Sequence, residues 1–482
     1  MKQRYAGYLG ILCALLIVFG CAGAEGASFS DLQALIDAAP EGGSLTLADD
    51  YSYDSEKDGA ALSEGVVIGK PITIDGAGHT VSGAGKGRCL SISGVTADNA
   101  EVLLKDLTIT EGGGEHIASG GGACIGEGCR VAFENCRIIK NGTVAGVHTE
   151  QGGAALFVEP KASVTFDNCT IAENVGKDRS GGIYLKGSAV LTNCDIRDNR
   201  SGSRGGGIYV DPGKGDKRGG EWGGNIKMYK CTVSGHKGGR GGGAYINSEN
   251  DKENYFEDCT FRDNDVTANS LGYGGGILFY SSVGKMVNCR VTDNKANRGG
   301  GVILDVATAL TLEGCTISGN EATVDGAGLY AFDGSHDDNV MKMIGEATFK
   351  NCEITDNFVV SGDKKTAQDI SINYTDEATA ETRREVNKEE YPPDGMITAE
   401  TDPSEFPFWT GELWKARWDG KFTSLGRNHI GTIDRNENIT TDITDRIDSE
   451  PHESSSGGCS TGTYGSVLLL AAGAALIRRK RK

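Results

Sequence analysis

The chain has 482 residues, with 67 Asp and Glu against 48 Lys and Arg, a formal net charge of −19. It carries 73 glycines but only nine prolines, and the glycines keep no three-residue period, which excludes a collagen-like triple helix. So acidic a chain is repelled by nucleic acid and anionic lipid, and no basic run outside its two ends argues otherwise.

At the N-terminus, Lys2 and Arg4 precede an apolar run from Leu9 to Phe19. Ala22-Gly23-Ala24 then reads as a cleavage site after Ala24, so residues 1–24 are expected to be a secretory signal peptide. Val18-Phe19-Gly20-Cys21 also has the outline of a lipoprotein box in which Cys21 would carry the lipid, although Phe19 fits it poorly. Residues 28–39 predict a short amphipathic helix, N-capped by Ser30, with Phe29, Leu32, Leu35 and Ile36 on one face. A stacked array needs a cover on its first unit, and residues 25–65 are assigned to that cap and a first coil.

Residues 66–374 carry a repeat. Cys136, Cys169, Cys194, Cys231, Cys259, Cys289, Cys315 and Cys352 stand 25 to 37 residues apart in one recurring context. Three residues before each comes a bulky apolar side chain such as Phe133, Leu191 or Met286, and two residues after comes another such as Ile138 or Phe261. Five residues after comes Asn141, Asn174, Asn199, Asn264, Asn294, Asn320 or Asn357, with His236 in one slot. Apolar and polar residues alternate ahead of each Cys, the period of a strand with one buried face. The residue just before Cys is usually Asn, which suits a tight bend, and Cys then points inward on a second strand. A glycine block such as Gly205–Gly207 leads into a third apolar run, Ile208-Tyr209-Val210. Three short strands per turn, about 4.8 Å from coil to coil, predict an all-β, right-handed parallel β-helix of about ten coils.

The eight cysteines admit an inward ladder of small apolar thiols, disulfides between coils, or a metal site. Stacked side-chain geometry rarely suits disulfides, and the ladder lacks close Cys-x-x-Cys spacing, so the apolar ladder is preferred and neither metal nor cofactor is expected. Cys124 and Cys129 lie outside the ladder, and whether they pair stays open.

Insertions at 211–225, 247–255 and 331–346 fall at the same point of the repeat and therefore project from one side, where solenoids often add binding. Residues 375–456 are read as a C-terminal cap and linker. Phe406, Phe408, Trp409, Trp414 and Trp418 there either cover the last coil or bind sugar rings, and 440–456 reads as a disordered stalk. Residues 457–482 begin with Gly457, Gly458 and Cys459, continue in an apolar span to about Ile477, and end in five basic residues. The span is near the lower limit of about 17 residues for crossing a bilayer. Its basic tail stays cytoplasmic and leaves the repeats outside.

That tripartite end resembles bacterial C-terminal sorting signals of the GlyGly type, the Synergist-CTERM type in particular. The resemblance implies that a membrane sorting protease acts around Gly457, Gly458 and Cys459; a plain membrane anchor is the other reading. Across 120–357, Gly205-Gly206-Gly207-Ile208, Gly152-Gly153-Ala154 and Phe261-Arg262-Asp263-Asn264 resemble the elements of the polymorphic outer-membrane protein repeat. Members of that family are β-helical adhesins and autotransporter passengers. This chain ends in a single apolar span instead of a β-barrel, so autotransport is not expected.

Taken together, these features predict a secreted, envelope-anchored, non-catalytic adhesin-like protein. Its partner would be a host or neighbouring-cell surface ligand or polysaccharide, not nucleic acid. A β-helix polysaccharide lyase or glycoside hydrolase, and a structural surface-layer component, are the alternatives. Asp195 and Asp198, aligned by stacking with Asp263 or Asp293, would be the clustered carboxylates a lyase needs. Asp198, Asp263, Asp293 and Asp356 nevertheless recur as part of the turn pattern, so no residue is assigned a catalytic role, and an enzyme is the less favoured reading.

Overall fold

The computed structural model describes residues 26–96, 100–144, 152–212, 224–248, 253–270, 272–305, 308–332, 346–373, 422–425 and 428–435. The signal segment with Cys21 and Ala24, the cluster from Phe406 to Trp418, the stalk, and Gly457, Gly458 and Cys459 lie outside them. Among the described residues no helix is long and apolar enough to cross a membrane; the expected span lies outside them as well.

One coil shows how the sequence makes the fold. Arg130–Glu134 forms a strand with Val131 and Phe133 buried and its other residues facing outward. Asn135 then takes a left-handed conformation at φ 54° and turns the chain. Arg137–Ile139 follows with Ile138 buried, and Leu156–Val158 closes the coil. We call the sheets these three strands belong to A, B and C. Sheet B has 13 strands, and sheets A and C have 12 each. Their strands pair in parallel with the equivalent strand one coil on, as in Phe133 with Phe166 and Ile138 with Ile171. Residues at the same slot therefore stack: the Phe133 and Phe166 rings lie 4.9 Å apart and 8° from parallel. One continuous core runs inside the three sheets, where each fully buried large apolar side chain contributes roughly 1.5–3 kcal/mol.

The bend before each Cys repeats with the same backbone. Asn168, Asn193, Asp258, Asn288 and Asn351 have φ between 52° and 54°. Lys230 adopts φ 54° in its slot, and Gly314 reaches 64° without the cost a Cβ would bring.

The sheets depart from expectation in three ways. They hold more rungs than the ten coils expected, because Gly43–Thr46, in the stretch assigned to the cap and first coil, already pairs in parallel with Ile72–Asp75. Further on, Phe422–Leu425, His429–Ile430 and Ile433–Arg435 extend sheets A, B and C, so strands from beyond residue 421 complete the stack. Third, a short fourth ladder lies between sheets B and C in some coils, through Gly142–Thr143, Val175–Gly176 and Arg200–Ser201, and again through Lys295–Arg298, Glu321–Asp325 and Phe358–Ser361. Three strands per coil was an undercount, because the segment after each buried Asn is still extended and pairs with its neighbour.

The helix α1, Phe29–Ala38, has Phe29, Leu32 and Ile36 buried in the same core and Leu35 packed against it. Its N-cap is Ser28, not Ser30. Ser28 Oγ accepts the Asp31 N–H, and the Ser28 N–H donates to the Asp31 carboxylate at 2.8 Å, a complete capping box. Ser30 instead donates its backbone N–H to Asp58 Oδ1 at 2.7 Å.

Candidate functional faces

The ladder residues are internal. All eight Cys of the repeat are buried free thiols. Several donate to a carbonyl of the preceding coil, such as Cys136 to Leu104 O and Cys289 to Phe256 O, both at 3.4 Å. Cys124 and Cys129 are free thiols too.

The asparagines form a chain of amides. Asn264 donates Nδ2–H to Asn294 Oδ1 at 2.8 Å and to Val233 O at 3.2 Å, while its Oδ1 accepts the His236 N–H at 3.0 Å. Asn141, Asn174, Asn294, Asn320 and Asn357 repeat the arrangement, and Asn199 takes part with His236 as its next neighbour. The chain ends on Asp369, whose Oδ1 accepts both N–H groups of Asn357 at 2.9 Å and whose Oδ2 accepts from Thr432. Asp369 escapes a sequence reading because a hairpin, rather than a Cys-marked coil, brings it into the slot. Buried and mutually satisfied, these ladders present nothing to a ligand.

The recurring aspartates sit outside. Asp198, Asp263, Asp293 and Asp356 take left-handed backbone after the sheet B strands, at φ 55° to 60°. Asp198 pairs with Arg197 and Asp263 with Arg262, and Asp195 also pairs with Arg197. Asp198, Asp263, Asp293 and Asp356 thus occupy turns, and the first two have an arginine neighbour as partner.

Two outer faces meet the edge where the chain passes from sheet C to sheet A. The crossovers after Ile208–Val210, Ala244–Asn247 and Leu329–Phe332 return at Asn225–Tyr229, Glu253–Glu257 and Glu346–Lys350. Each insertion expected from the sequence therefore leaves sheet C and re-enters sheet A. Most residues of those insertions lie outside the described set.

On the outer face of sheet A, Lys227, Tyr255 and Lys285 share one register column. Tyr229, beside them, has its ring centroid 5.7 Å from that of Tyr255, and both tyrosines are half-buried. Tyr255 donates its hydroxyl to Glu257 Oε2 at 3.0 Å. Desolvation first, and then the Glu257 carboxylate, push the Tyr255 phenol up to about 12, so it stays a neutral donor and a poor base near neutral pH. The Lys350 ammonium, bonded to Glu313, holds that carboxyl below the usual range, with Lys285 adding to the effect.

The outer face of sheet C is organised differently. Phe157, Tyr184, Tyr209, Tyr245, Leu278, Ile303 and Tyr330 occupy one register column and form a second apolar cluster outside the main core. Neighbouring rings meet edge-on or tilted with centroids 5.0 to 5.3 Å apart. Four residues before the first residue of each sheet C strand, another column runs through Arg179, Arg204, Arg240, Tyr273 and Arg298. The Arg179 guanidinium lies 5.3 Å from the Tyr209 centroid, Arg204 lies 5.5 Å from Tyr245, and Arg240 and Arg298 lie 5.3 and 6.0 Å from Tyr273. Arg179 also donates to Tyr184 Oη at 3.1 Å and to Asp211 Oδ2 at 3.0 Å, and the Tyr184 hydroxyl donates to the same Oδ2 at 2.6 Å. Burial first, and then Asp211, raise the Tyr184 phenol far above its ordinary value, so it too remains protonated.

This column corrects the reading of charge. No basic run is legible along the chain, yet coiling brings together arginines 25 to 36 residues apart. The available signal was an Arg at a fixed offset before four of the sheet C strands, which composition does not register.

Three parallel sheets closed around one core define a parallel β-helix protein. Residues 73–239 and 181–369 match the family described as right handed beta helix region, and the chain belongs to that family. No curated protein matches it. Among solved structures, "a new PL6 alginate lyase complex with trisaccharide" aligns with TM-score 0.30 and 10% identity, over 87% of this chain and 89% of that one. An alginate lyase from Paenibacillus sp. str. FPU-7 aligns with TM-score 0.24 and 13% identity, over 68% and 93%. Superpositions this loose say nothing about chemistry here.

Proposed function

We propose that this chain is a surface-displayed, non-catalytic binding protein of the adhesin-like kind, and that it takes a polysaccharide on the outer face of sheet A. One observation carries the reading: the half-buried Tyr229 and Tyr255 rings lie 5.7 Å apart on the outer face of sheet A, with Tyr255 in register between Lys227 and Lys285. Partly exposed phenol rings offer an apolar surface to sugar rings and a hydroxyl to their polar groups, while the lysines supply donors without geometric demand. Display at the envelope, through processing around Gly457, Gly458 and Cys459 and a repeat like that of the polymorphic outer-membrane proteins, is part of the same proposal.

Affinity electrophoresis against a panel of neutral and acidic polysaccharides tests it. A Tyr229→Ala/Tyr255→Ala variant should bind the preferred polymer about tenfold more weakly, a loss of about 1.4 kcal/mol, with its melting temperature unchanged. Wild-type affinity in that variant would refute the assignment. The same polymers, assayed for unsaturated ends, decide the enzymatic alternative: release above the blank would replace the binding reading with a lyase.

A further inference from the structure

We infer that the tyrosine face of sheet A takes a neutral, hydroxyl-rich polysaccharide, and that Glu257 sets this choice by offering acceptors to the sugar and repelling anionic groups. The inference rests on the polysaccharide reading above and adds to it a substrate class and a specificity-determining residue.

Glu257 stands beside both rings. It pairs in register with Tyr229 on the preceding rung, and it follows Tyr255 by two residues on its own strand, so both side chains emerge on the outer face. The Tyr255 hydroxyl donates to Glu257 Oε2 at 3.0 Å. That bond commits the one proton the phenol has to give. Tyr255 is left to offer a ligand the free lone pair of Oη, and Glu257 keeps acceptor sites beyond the one that Tyr255 fills. Glu253, exposed two residues before Tyr255, places another carboxylate on the same face. The oxygens around the Tyr255 ring therefore call for donors. Sugar hydroxyls are donors, whereas ionised carboxylate and sulfate groups are acceptors only.

The cations of the face do not offset Glu257. Along its column the order is Tyr229, Glu257, Val287, Glu313 and Lys350. Lys350 and Lys285 both lie against Glu313, the second at 4.0 Å. Among the described residues no ion pair reaches Glu257. Lys227, exposed and in register with Tyr255, supplies a donor for a sugar oxygen. Over the outward positions of the rungs from Asn225 to Lys350, Glu253, Glu257, Glu313 and Glu346 outnumber Lys227, Lys285 and Lys350. A uronate or sulfated sugar still carries hydroxyls, but its charge would approach these carboxylates on a chain of net charge −19. A neutral chain meets no such barrier. Val283 and Val287, half-buried on the next rung, continue the apolar surface that the rings begin.

The test is affinity electrophoresis of the full chain in gels containing a neutral glucan, a neutral galactomannan, a polyuronate or a sulfated galactan. Wild type should be retarded by a neutral polymer and by neither acidic one. Glu257→Gln keeps an acceptor for the Tyr255 hydroxyl and removes the charge. It should weaken neutral binding roughly threefold and admit an acidic polymer, most clearly at low salt. Tyr255→Phe keeps the ring and removes Oη, so it should lose roughly threefold in neutral binding without admitting the acidic polymers. Melting temperatures equal to that of wild type show that both variants are folded. Stronger retardation of wild type by an acidic polymer than by either neutral one overturns the inference, as does a folded Glu257→Gln variant of unchanged selectivity. In both cases the polysaccharide reading stands if Tyr229→Ala/Tyr255→Ala loses the binding. If wild type binds none of the polymers, or that double variant binds as wild type does, the reading fails and the inference falls with it.

Discussion

His236 is the single histidine in a ladder of amides, and it keeps the ladder intact only while neutral. Its Nδ1 accepts the Asn199 N–H and its Nε2 contacts Ile196 O, both at 3.0 Å, which requires the Nε2–H tautomer. Burial lowers its pKa to about 4, against the lesser upward pull of those two hydrogen bonds and of Asp198. The folded value lies below the unfolded value of 6.5, so between the two the unfolded chain binds more protons. Stability from this site is therefore complete above pH 6.5 and is lost as pH falls towards 4, by on the order of 3 kcal/mol. His236→Asn should abolish that part of the acid sensitivity in urea unfolding at pH 7 and pH 4.5; an unchanged pH dependence would remove His236 as its source. Gly243 is constrained sterically. A Cβ there would lie 2.4 Å from the carbonyl oxygen of Gly276, part of the next rung's backbone. Gly243→Ala should cost at least about 2 kcal/mol in the same measurement, and a neutral result would show that neighbouring rungs can separate locally.

At the scale of the element, the amide ladder ties each coil to the next. Asn264→Ala would strip the His236 N–H of its acceptor and take one donor each from Asn294 Oδ1 and Val233 O. Buried groups left unpaired cost about 1–3 kcal/mol each, so a loss of roughly 3 kcal/mol is expected. Because solenoid coils contact only their neighbours, hydrogen exchange should accelerate first around residues 236, 264 and 294; uniform acceleration along the chain would contradict a local ladder. Period-two alternation made the buried residues of sheet A legible, and Asn before Cys made the bend legible. The N-cap was misplaced because Ser28 and Ser30 both precede the helical pattern, and only Asp31, three residues after Ser28, marks the true cap. The fourth ladder was not legible, since two-residue strands such as Gly142–Thr143 carry no periodicity.

For the whole molecule, burial orders the reactivity of the thiols. The eight ladder cysteines, with Cys89 and Cys129, are buried, and desolvation pushes the Cys89 thiol up to about 12. Alkylation mapped by mass spectrometry should label Cys124, half-buried on the outside of sheet C, before any of these, with the ladder labelled only on unfolding. Early labelling of Cys194 or Cys259 would contradict a closed core. The chain alone determined the inward architecture: a buried slot accepts only small thiols, apolar groups or self-satisfying amides, and that restriction is written at each coil whatever the loops between them. Tertiary structure decided what lies outside. Exposed positions tolerate almost any residue, and loops of unequal length separate Lys227 from Tyr255 and Arg204 from Arg240. Only stacking at one strand spacing sets these residues side by side, so no linear motif records the faces they form.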